Sequence, residues 1–432
     1  MKESTKVGLA LTFCFFVAWL DRMAINLTLP YLSKDLALDT PQMGYVLSSF
    51  FLGYAACQML GGILADRYGP RPVILFSLVW WSVFTYLSGS AQSFESLVVT
   101  RFLFGMGEGL FPACVWKLIS GWYPSKNRAT ANSIILSMIA LGPALTPLVL
   151  GPLLPVMGWR STFHLLGIMG GMCVLLAYRY LYSNIESYPR LPPSELQDYQ
   201  LVKAQESRLS EVAIASTSFK DVFASPKVWV LFLNGLIMNI AMYGWLSWLP
   251  SYLMKTKSLD LKSTVVAASV PFFFGAVGCM IAGYVSDTFF RGKRRYLVVM
   301  SQLVGAVALY SFTQIQNPMS GMAAQSFAAF FLFMACGAIW SLPVVMLPVK
   351  LMGIGTGFIN TGGQLGGFVT NILIGHLIAW RGGNMAAGFE VMLGALGLST
   401  IIVAFCVKEN SPQKYQTSDN LPSDLTLSPQ KP

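Results

Sequence analysis

Four ionisable residues stand inside apolar runs where a charge needs a reason. The stretch "FFVAWLDRMAINLTLP", residues 15–30, carries Asp21 and Arg22 side by side in the first long apolar run. The fourth run, "RFLFGMGEGLFPA" at residues 101–113, holds Arg101 and Glu108. A charge at the centre of a membrane helix costs roughly 2.5–3.5 kcal/mol on insertion scales. Adjacent helical residues point about 100° apart, so Asp21 and Arg22 cannot satisfy each other and need partners on another helix. Arg101 and Glu108 are nearly two turns apart, on one face and about 10 Å apart along the axis, too far to pair directly. Counting helical rise from the span edges puts Asp21 roughly 21 Å from the cytoplasmic edge of a core about 30 Å thick, and Arg101 roughly 9 Å from the outer edge. The two sit at similar depth with opposite charge, and Glu108 falls near the middle of its helix.

Two readings follow. In one, the four charges are a structural ion-pair network that orients the first and fourth helices. In the other they couple proton movement to transport, since intramembrane carboxylates are proton sites by default. A carboxylate in a dry pocket favours its neutral form, and beside an arginine its charged form. It therefore titrates according to which partner is present, which is what proton–substrate coupling requires.

The elements that position these residues follow from composition. Of 432 residues, 54% are hydrophobic and 11% charged, against about 25% charged in a soluble domain. Thirty-nine glycines and 29 phenylalanines fit closely packed helices in lipid. A soluble globule of this balance would expose large apolar surface and is excluded. The seven cysteines all fall in apolar runs, none spaced as a metal site or disulfide framework, and read as small buried hydrophobes. No cofactor or metal is expected. "MKESTK" and the run behind it lack a small-residue cleavage site and are read as a retained first helix.

A span needs about 20 apolar residues. Twelve candidates satisfy this: 7–30, 42–65, 72–91, 95–121, 130–155, 159–182, 227–254, 263–286, 296–315, 319–347, 352–378 and 384–407. The expected fold is an all-α membrane protein of two six-helix bundles, 1–182 and 227–407, joined by a cytoplasmic linker at 183–226 with an amphipathic helical piece from near Ser194. Residues 408–432 are polar and read as a disordered cytoplasmic tail. With the N-terminus inside, 19 of the 29 Lys and Arg fall on the cytoplasmic side and six outside, which places both termini in the cytoplasm. Arg22, Arg101, Lys117 and Arg179 remain in or at the edge of spans. The same bias explains the net charge of +10 without nucleic acid. An internal repeat supports the halves: Gly62 and Asp66 of "GGILADRYGPR" recur as Gly283 and Asp287 of "AGYVSDTFFRGKRR", each offset by 221 residues. Parallel six-helix repeats related by a pseudo-twofold axis are the plan of one large transporter fold.

Here the chain resembles the major facilitator superfamily, whose signature loop G-x-x-x-D-R-x-G-x-R is matched by Gly62, Asp66, Arg67, Gly69 and Arg71. The segments "LDRMAI", "RFLFGMGEGLFPA", "WYPSKNRA", "GWRSTF" and "YGWLSWLPSYL" are similar to the anion:cation symporter family within it, including bacterial galactonate, glucarate and hexuronate transporters and animal vesicular glutamate and sialic acid transporters. The resemblance implies that Arg22 binds a substrate carboxylate, that Asp21 and Glu108 carry protons, and that Arg101 holds one or both carboxylates unprotonated and helps gate the outer side. It also implies a sugar-acid site at Tyr54, Trp340 and Asn360. Two departures stand out: "SIILSMIALG" offers Ser133 and Ser137 where a galactonate-type site has a glutamine, and Thr370-Asn371 replace a proline after the glycines of the eleventh helix.

The second half holds no comparable charge cluster. Its amides, hydroxyls and aromatics (Asn234, Asn239, Tyr243, Trp340, Asn360, Thr361, Gln364, Thr370 and Asn371) are read as the half that contacts the rest of the substrate, with Tyr243 and Thr361 added to the site. Asp66, Arg67 and Arg71 with Arg128, and Asp287 in the second half, are read as cytoplasmic gating residues, with Asp66, Arg71 and Arg128 as a latch. Gly105, Gly107 and Gly109 read as helix packing, since no strand precedes them for a nucleotide loop. Lys117 is expected to snorkel. His164 and His376 read as packed neutral side chains, although His376, at the outer border of its helix, could modulate pH dependence. Glu390 lies near the outer end of the last helix.

The expected function is import of a small organic anion with protons by alternating access, by a multi-pass monomer in a cell membrane, the bacterial inner membrane. A sugar acid or related hydroxy-carboxylate is expected first, an aromatic or dicarboxylic acid as the alternative. An enzyme would need a nucleophile–base or metal constellation, and none is visible. A sensor built on a transporter fold would carry a longer cytoplasmic extension.

Overall fold

The computed structural model describes residues 3–123, 125–189, 192–193, 196–197, 199–200, 219–290, 293–347 and 352–407. All the regular structure in them is helical. The first half contains α1 (Glu3–Asp35), α2 (Thr40–Tyr68), α3 (Pro70–Gly89), α4 (Phe94–Trp122), α5 (Ser125–Leu136), α6 (Met138–Leu150) and α7 (Leu154–Tyr180). The second contains α8 (Pro226–Lys255), α9 (Leu261–Thr288), α10 (Arg294–Gln314), α11 (Pro318–Met346), α12 (Met352–Trp380) and α13 (Ala387–Cys406). Eleven helical stretches among the described residues are long and apolar enough to cross a membrane, α5 and α6 contributing one between them from Thr130 to Leu150. The remaining span is α12, long enough at 29 residues but diluted by glycines and by Asn360, Thr361, Gln364, Thr370, Asn371 and His376. The expected tail and most of the linker lie outside the described residues.

Helix ends are where local chemistry directs them. Asp39 and Gln42 form a reciprocal capping box at the start of α2, with bonds of 2.7 and 3.0 Å. Asn317 caps α11, and Pro318 occupies its first turn. The signature-loop Gly69 has φ 83°, its N–H closes α2 on the Ala65 carbonyl, and Pro70 opens α3 immediately after it. Only glycine takes that conformation without strain.

Within the first half, α4 packs on α2 and α3, and α7 on α1 and α3; within the second, α8 packs on α12 and α13, and α11 on α9 and α10. The α2–α4 crossing is close. A Cβ on Gly109 would sit 2.5 Å from the Tyr54 carbonyl oxygen and 3.1 Å from its Cα. Gly53 and Gly105 face the backbone of the opposite helix in the same way. The glycines of "GMGEG" are thus packing residues, and they draw Phe50 and Tyr54 onto the helix that carries Glu108. In the second half a buried chain of bonds ties three helices: Gln302 donates to Ser399 (2.8 Å), Ser399 to Asn234 (2.8 Å) and Thr400 to Gln302 (3.1 Å). The start of the linker is held on the first half by aromatic side chains: Trp122 donates to the Tyr182 carbonyl (2.7 Å), and Tyr188 to Glu3 (2.9 Å).

The halves meet along α2–α12, α6–α9 and α1–α8. At the end of the molecule opposite the termini, here called the far end, Tyr45 bonds His376 (3.1 Å) and Ser48 donates to the Phe368 carbonyl (2.7 Å). A Cβ on Gly375 would meet the Thr40 carbonyl oxygen at 2.8 Å. These bonds, the Tyr45–His376 ring contact and the Phe51–Tyr243 ring contact join the halves at the level of Tyr243 and nearer the far end. The far end is closed.

Gly109→Ala should push α2 and α4 apart and cost about 1–3 kcal/mol, the range for overpacking. Its thermal unfolding in detergent should begin several degrees below wild type. Gly171→Ala, whose Cβ would have nothing within 4 Å, should unfold at the wild-type temperature or slightly above.

Candidate functional site

The four charges of the opening stretch and of α4 come together in the first half, but not in the expected pairs. Arg22 reaches across to Glu108: Nη2 lies 3.1 Å from Oε1, and Nε donates to Oε2 at 3.3 Å. Both side chains are buried, at 8% and 4% exposure. The Arg22 guanidinium sits among three rings, 4.7 Å from Trp19, 5.0 Å from Phe50 and 4.8 Å from Tyr54. A desolvated cation over an aromatic face is worth about 2 kcal/mol or more. The Tyr54 and Tyr243 hydroxyls are within electrostatic reach of Arg22, so the second half contributes to its surroundings. Tyr243 packs on Phe51 at 4.6 Å across the boundary between the halves, and Gln364 donates to its hydroxyl at 3.4 Å.

Asp21 and Arg101 are left over. Neither Asp21 carboxylate oxygen has a hydrogen-bond partner, nor do Arg101 Nε and Nη1, although all are buried. They interact through space without touching. Glu108 bonds Arg22, and Arg101 lies over Phe104 at 4.5 Å and Phe50 at 5.5 Å. Phe50 stands beside both guanidinium groups. Sequence spacing gave the depth of Arg101 but not the ring beside it.

Of the other expected site residues, Thr361 donates to the Gly357 carbonyl in its own helix (3.1 Å). Asn360 is part-buried, and Trp340 is 46% exposed. None of these three shares a hydrogen bond, ion pair or ring contact with Arg22 or Glu108 among the described residues. Several second-half amides and hydroxyls serve packing instead: Asn234 in the network above, Asn239 on the Gly235 carbonyl, Thr370 on the Ile240 carbonyl, and Asn371 accepting from Trp248 at 3.0 Å. Gln364, one of the second-half amides named from the sequence, is a neighbour of Tyr243, a pairing that only the fold reveals.

The residues read as a latch bond other partners than one another among the described residues. Asp66 pairs with Lys117 at 2.6 Å, and Lys117 also donates to the Ala65 carbonyl at 2.8 Å. Arg71 donates to the Tyr178 carbonyl (2.9 Å) and stacks on Tyr182 at 3.8 Å. Arg128 covers the last carbonyls of α4, those of Ser120 and Tyr123, at 3.2 and 3.3 Å. The tight α2–α4 crossing puts Lys117 against Asp66, which is why neither arginine reaches it. Arg67 lies beside the Tyr68 ring (5.3 Å), and Asp287 pairs with Arg294 (2.8 Å). His164 stacks on Tyr86 at 4.4 Å, and Glu390 pairs with Arg381 at 3.1 Å.

The two ion pairs of α4 should respond differently to neutralisation. Glu108→Gln leaves the Arg22 charge buried without its counter-charge, a loss of about 3–5 kcal/mol for a buried pair. Asp66→Asn breaks a pair whose carboxylate is 80% exposed and should cost less than about 1 kcal/mol. Thermal unfolding of the two purified variants measures the difference, and equal losses would contradict the burial of the Arg22 pair.

The family model described as Major Facilitator Superfamily matches residues 11–371. A probable sulfoacetate transporter of Cupriavidus necator is 30% identical over 90% of this chain and 91% of its own. A hexuronate transporter of Bacillus subtilis is 27% identical over 92% of this chain and 94% of its own. Among solved structures, a D-xylose-proton symporter superposes with a TM-score of 0.74 over 94% of this chain and 98% of its own at 16% identity, a likeness of fold. With the helical halves, the signature loop and these matches in place, the chain belongs to the Major Facilitator Superfamily and is a multi-pass membrane transporter rather than an enzyme.

Proposed function

We propose that the protein imports a hydroxylated organic anion, a sugar acid or close relative, together with protons across a bacterial inner membrane, with both termini cytoplasmic and the far end facing out. The observation that carries this reading is the Arg22–Glu108 pair, buried among aromatic rings where the two halves meet. Glu108 occupies the fork of Arg22 as a substrate carboxylate would, with both its oxygens engaged. A proton on Glu108 removes that competitor and frees Arg22 for the substrate. Asp21, buried with no bond to either oxygen, is the second proton site, and its charge is balanced through space by Arg101. The relatives named for sulfoacetate and hexuronate support an organic anion as cargo. Trp340, Asn360 and Thr361 would meet the non-carboxylate part of the substrate when the halves rock together.

Arg22→Ala should abolish binding of D-glucuronate while the protein still folds, and Arg22→Lys should rescue it only in part, because lysine lacks the planar fork. Unchanged affinity in the alanine variant would remove Arg22 from the site.

Glu108→Gln mimics the protonated carboxylate. In proteoliposomes it should still exchange labelled for unlabelled anion, since exchange needs no net proton movement. It should fail to concentrate the anion under a proton gradient. Asp21→Asn should behave in the same way. Gradient-driven accumulation by the double variant would show that the charges are structural.

A further inference from the structure

A small cavity lies between the halves, on the far-end side of Arg22, where α1, α6, α8 and α9 converge. Its volume is about 20 Å³, enough for one water-sized group. Asn26 and Thr146 are the polar side chains on its wall, and no charged side chain lines it. Asn26 is four residues beyond Arg22, so it shares that face of α1 about 6 Å farther along the axis. It is 5% exposed, and its amide nitrogen bonds only the Met23 sulfur, at 3.4 Å. Two wall residues add acceptors. Leu246 and Pro143 both line the cavity, and residues 250 and 147, four positions on, are prolines. A proline has no N–H, so neither carbonyl receives its usual helical bond. Thr146 spends its hydrogen on the Gly142 carbonyl (2.8 Å) and keeps lone pairs.

A wall of underused acceptors and one amide, without a cation, suits a neutral group that both donates and accepts. It offers nothing to a second anionic group. Deepening the organic-anion reading above, on which this rests, we propose that the Asn26 cavity is a hydroxyl subsite: it takes a hydroxyl of a polyhydroxy acid whose carboxylate lies on Arg22. A six-carbon acid can span both positions; a two-carbon acid cannot. The subsite also links recognition to gating. When the far end closes on an empty carrier, the Asn26 amide nitrogen keeps only the weak sulfur acceptor of Met23, which is costly in a buried side chain. A substrate hydroxyl supplies the partner, so closure is favoured by hydroxylated cargo.

The test uses full-length protein in nanodiscs, with Asn26→Leu to remove the polar group and Asn26→Ser to retain one. Affinities are measured for D-glucuronate, with several hydroxyls, and sulfoacetate, with none. Asn26→Leu should weaken D-glucuronate by roughly tenfold, the loss expected for a buried hydrogen bond or two, and leave sulfoacetate within about twofold; Asn26→Ser should recover part of the loss. Spin labels at Lys34→Cys and Lys262→Cys, with the exposed Cys279 and Cys406 replaced by serine, report the far-end distance without any ligand. Asn26→Leu should raise the short-distance, closed population of the empty carrier. Equal losses for the two anions, or an unchanged distance distribution, overturns the subsite. Failure of the wild type to bind either anion would instead defeat the organic-anion reading, and the ligand-free distances would still decide the role of Asn26.

Discussion

The ion pair between Arg22 and Glu108 is the constraint around which the first half is organised. Burying two charges costs more than their attraction returns unless geometry is good and the remaining donors are occupied. Both conditions are met locally. The carboxylate takes two bonds from the guanidinium, and three rings cover the rest of the cation. Those rings come from α1 and α2, the carboxylate from α4. Holding them together requires the glycine crossing of α2 and α4, because any larger residue at Gly105 or Gly109 would lift Tyr54 and Phe50 off Glu108. Packing and electrostatics are therefore one design: the glycines set the distance at which the charges can meet.

A buried pair of this kind is poor evidence for stability, since apolar residues of similar volume often serve as well. Its value lies in being replaceable. On the proposed reading, the fork that Glu108 fills would take a substrate carboxylate in its place once Glu108 is protonated. Asp21 and Arg101 show the contrasting arrangement: opposite charges in the same dry region with no hydrogen bond between them. With both carboxylates ionised the four residues sum to zero charge. Each proton added leaves one positive charge in excess, and an incoming anion restores neutrality. On the proposed reading, charge balance in a medium of low dielectric would tie anion occupancy to protonation without a change of shape.

The sequence made the spans, the two halves and the four charges legible, for physical reasons. Twenty apolar residues are needed to cross a bilayer whatever the fold, and an intramembrane charge is conspicuous because it is costly. Helical rise alone put Asp21 and Arg101 at a common depth. What it could not give was azimuth. Which way Arg22 turns depends on Phe50 and Tyr54 of another helix, so its choice of Glu108 was out of reach. The packing partners of the polar residues of α8 and α12 were out of reach for the same reason. Thr370 and Asn371 look like ligands in a list, yet they bond the Ile240 carbonyl and Trp248. The Lys117–Asp66 pair was hidden for the same reason: it depends on how closely α2 and α4 approach. Even α12 is legible as a span only by its length, because the polar groups that dilute it face its neighbours.

Helix α2 links these observations to movement. One of its faces carries Phe50 and Tyr54 to Arg22; toward the far end it carries Gly44, Tyr45 and Ser48 to α12. A hydrogen bond from Ser48 to the Phe368 carbonyl joins the halves two residues from Phe50, and the Gly44–Gly375 approach does so about one turn nearer the far end. Opening the far end must pull α2 and α12 apart there. Since α2 is fixed to α4 by its glycines, the first half moves as a body and keeps its charges, while Phe51 parts from Tyr243. Arg22 then loses its neighbour from the second half but keeps Glu108 within reach. On the proposed reading, the packing of one half holds the two residues at the distance where they can pair or part, and what alternates is the half that closes over them.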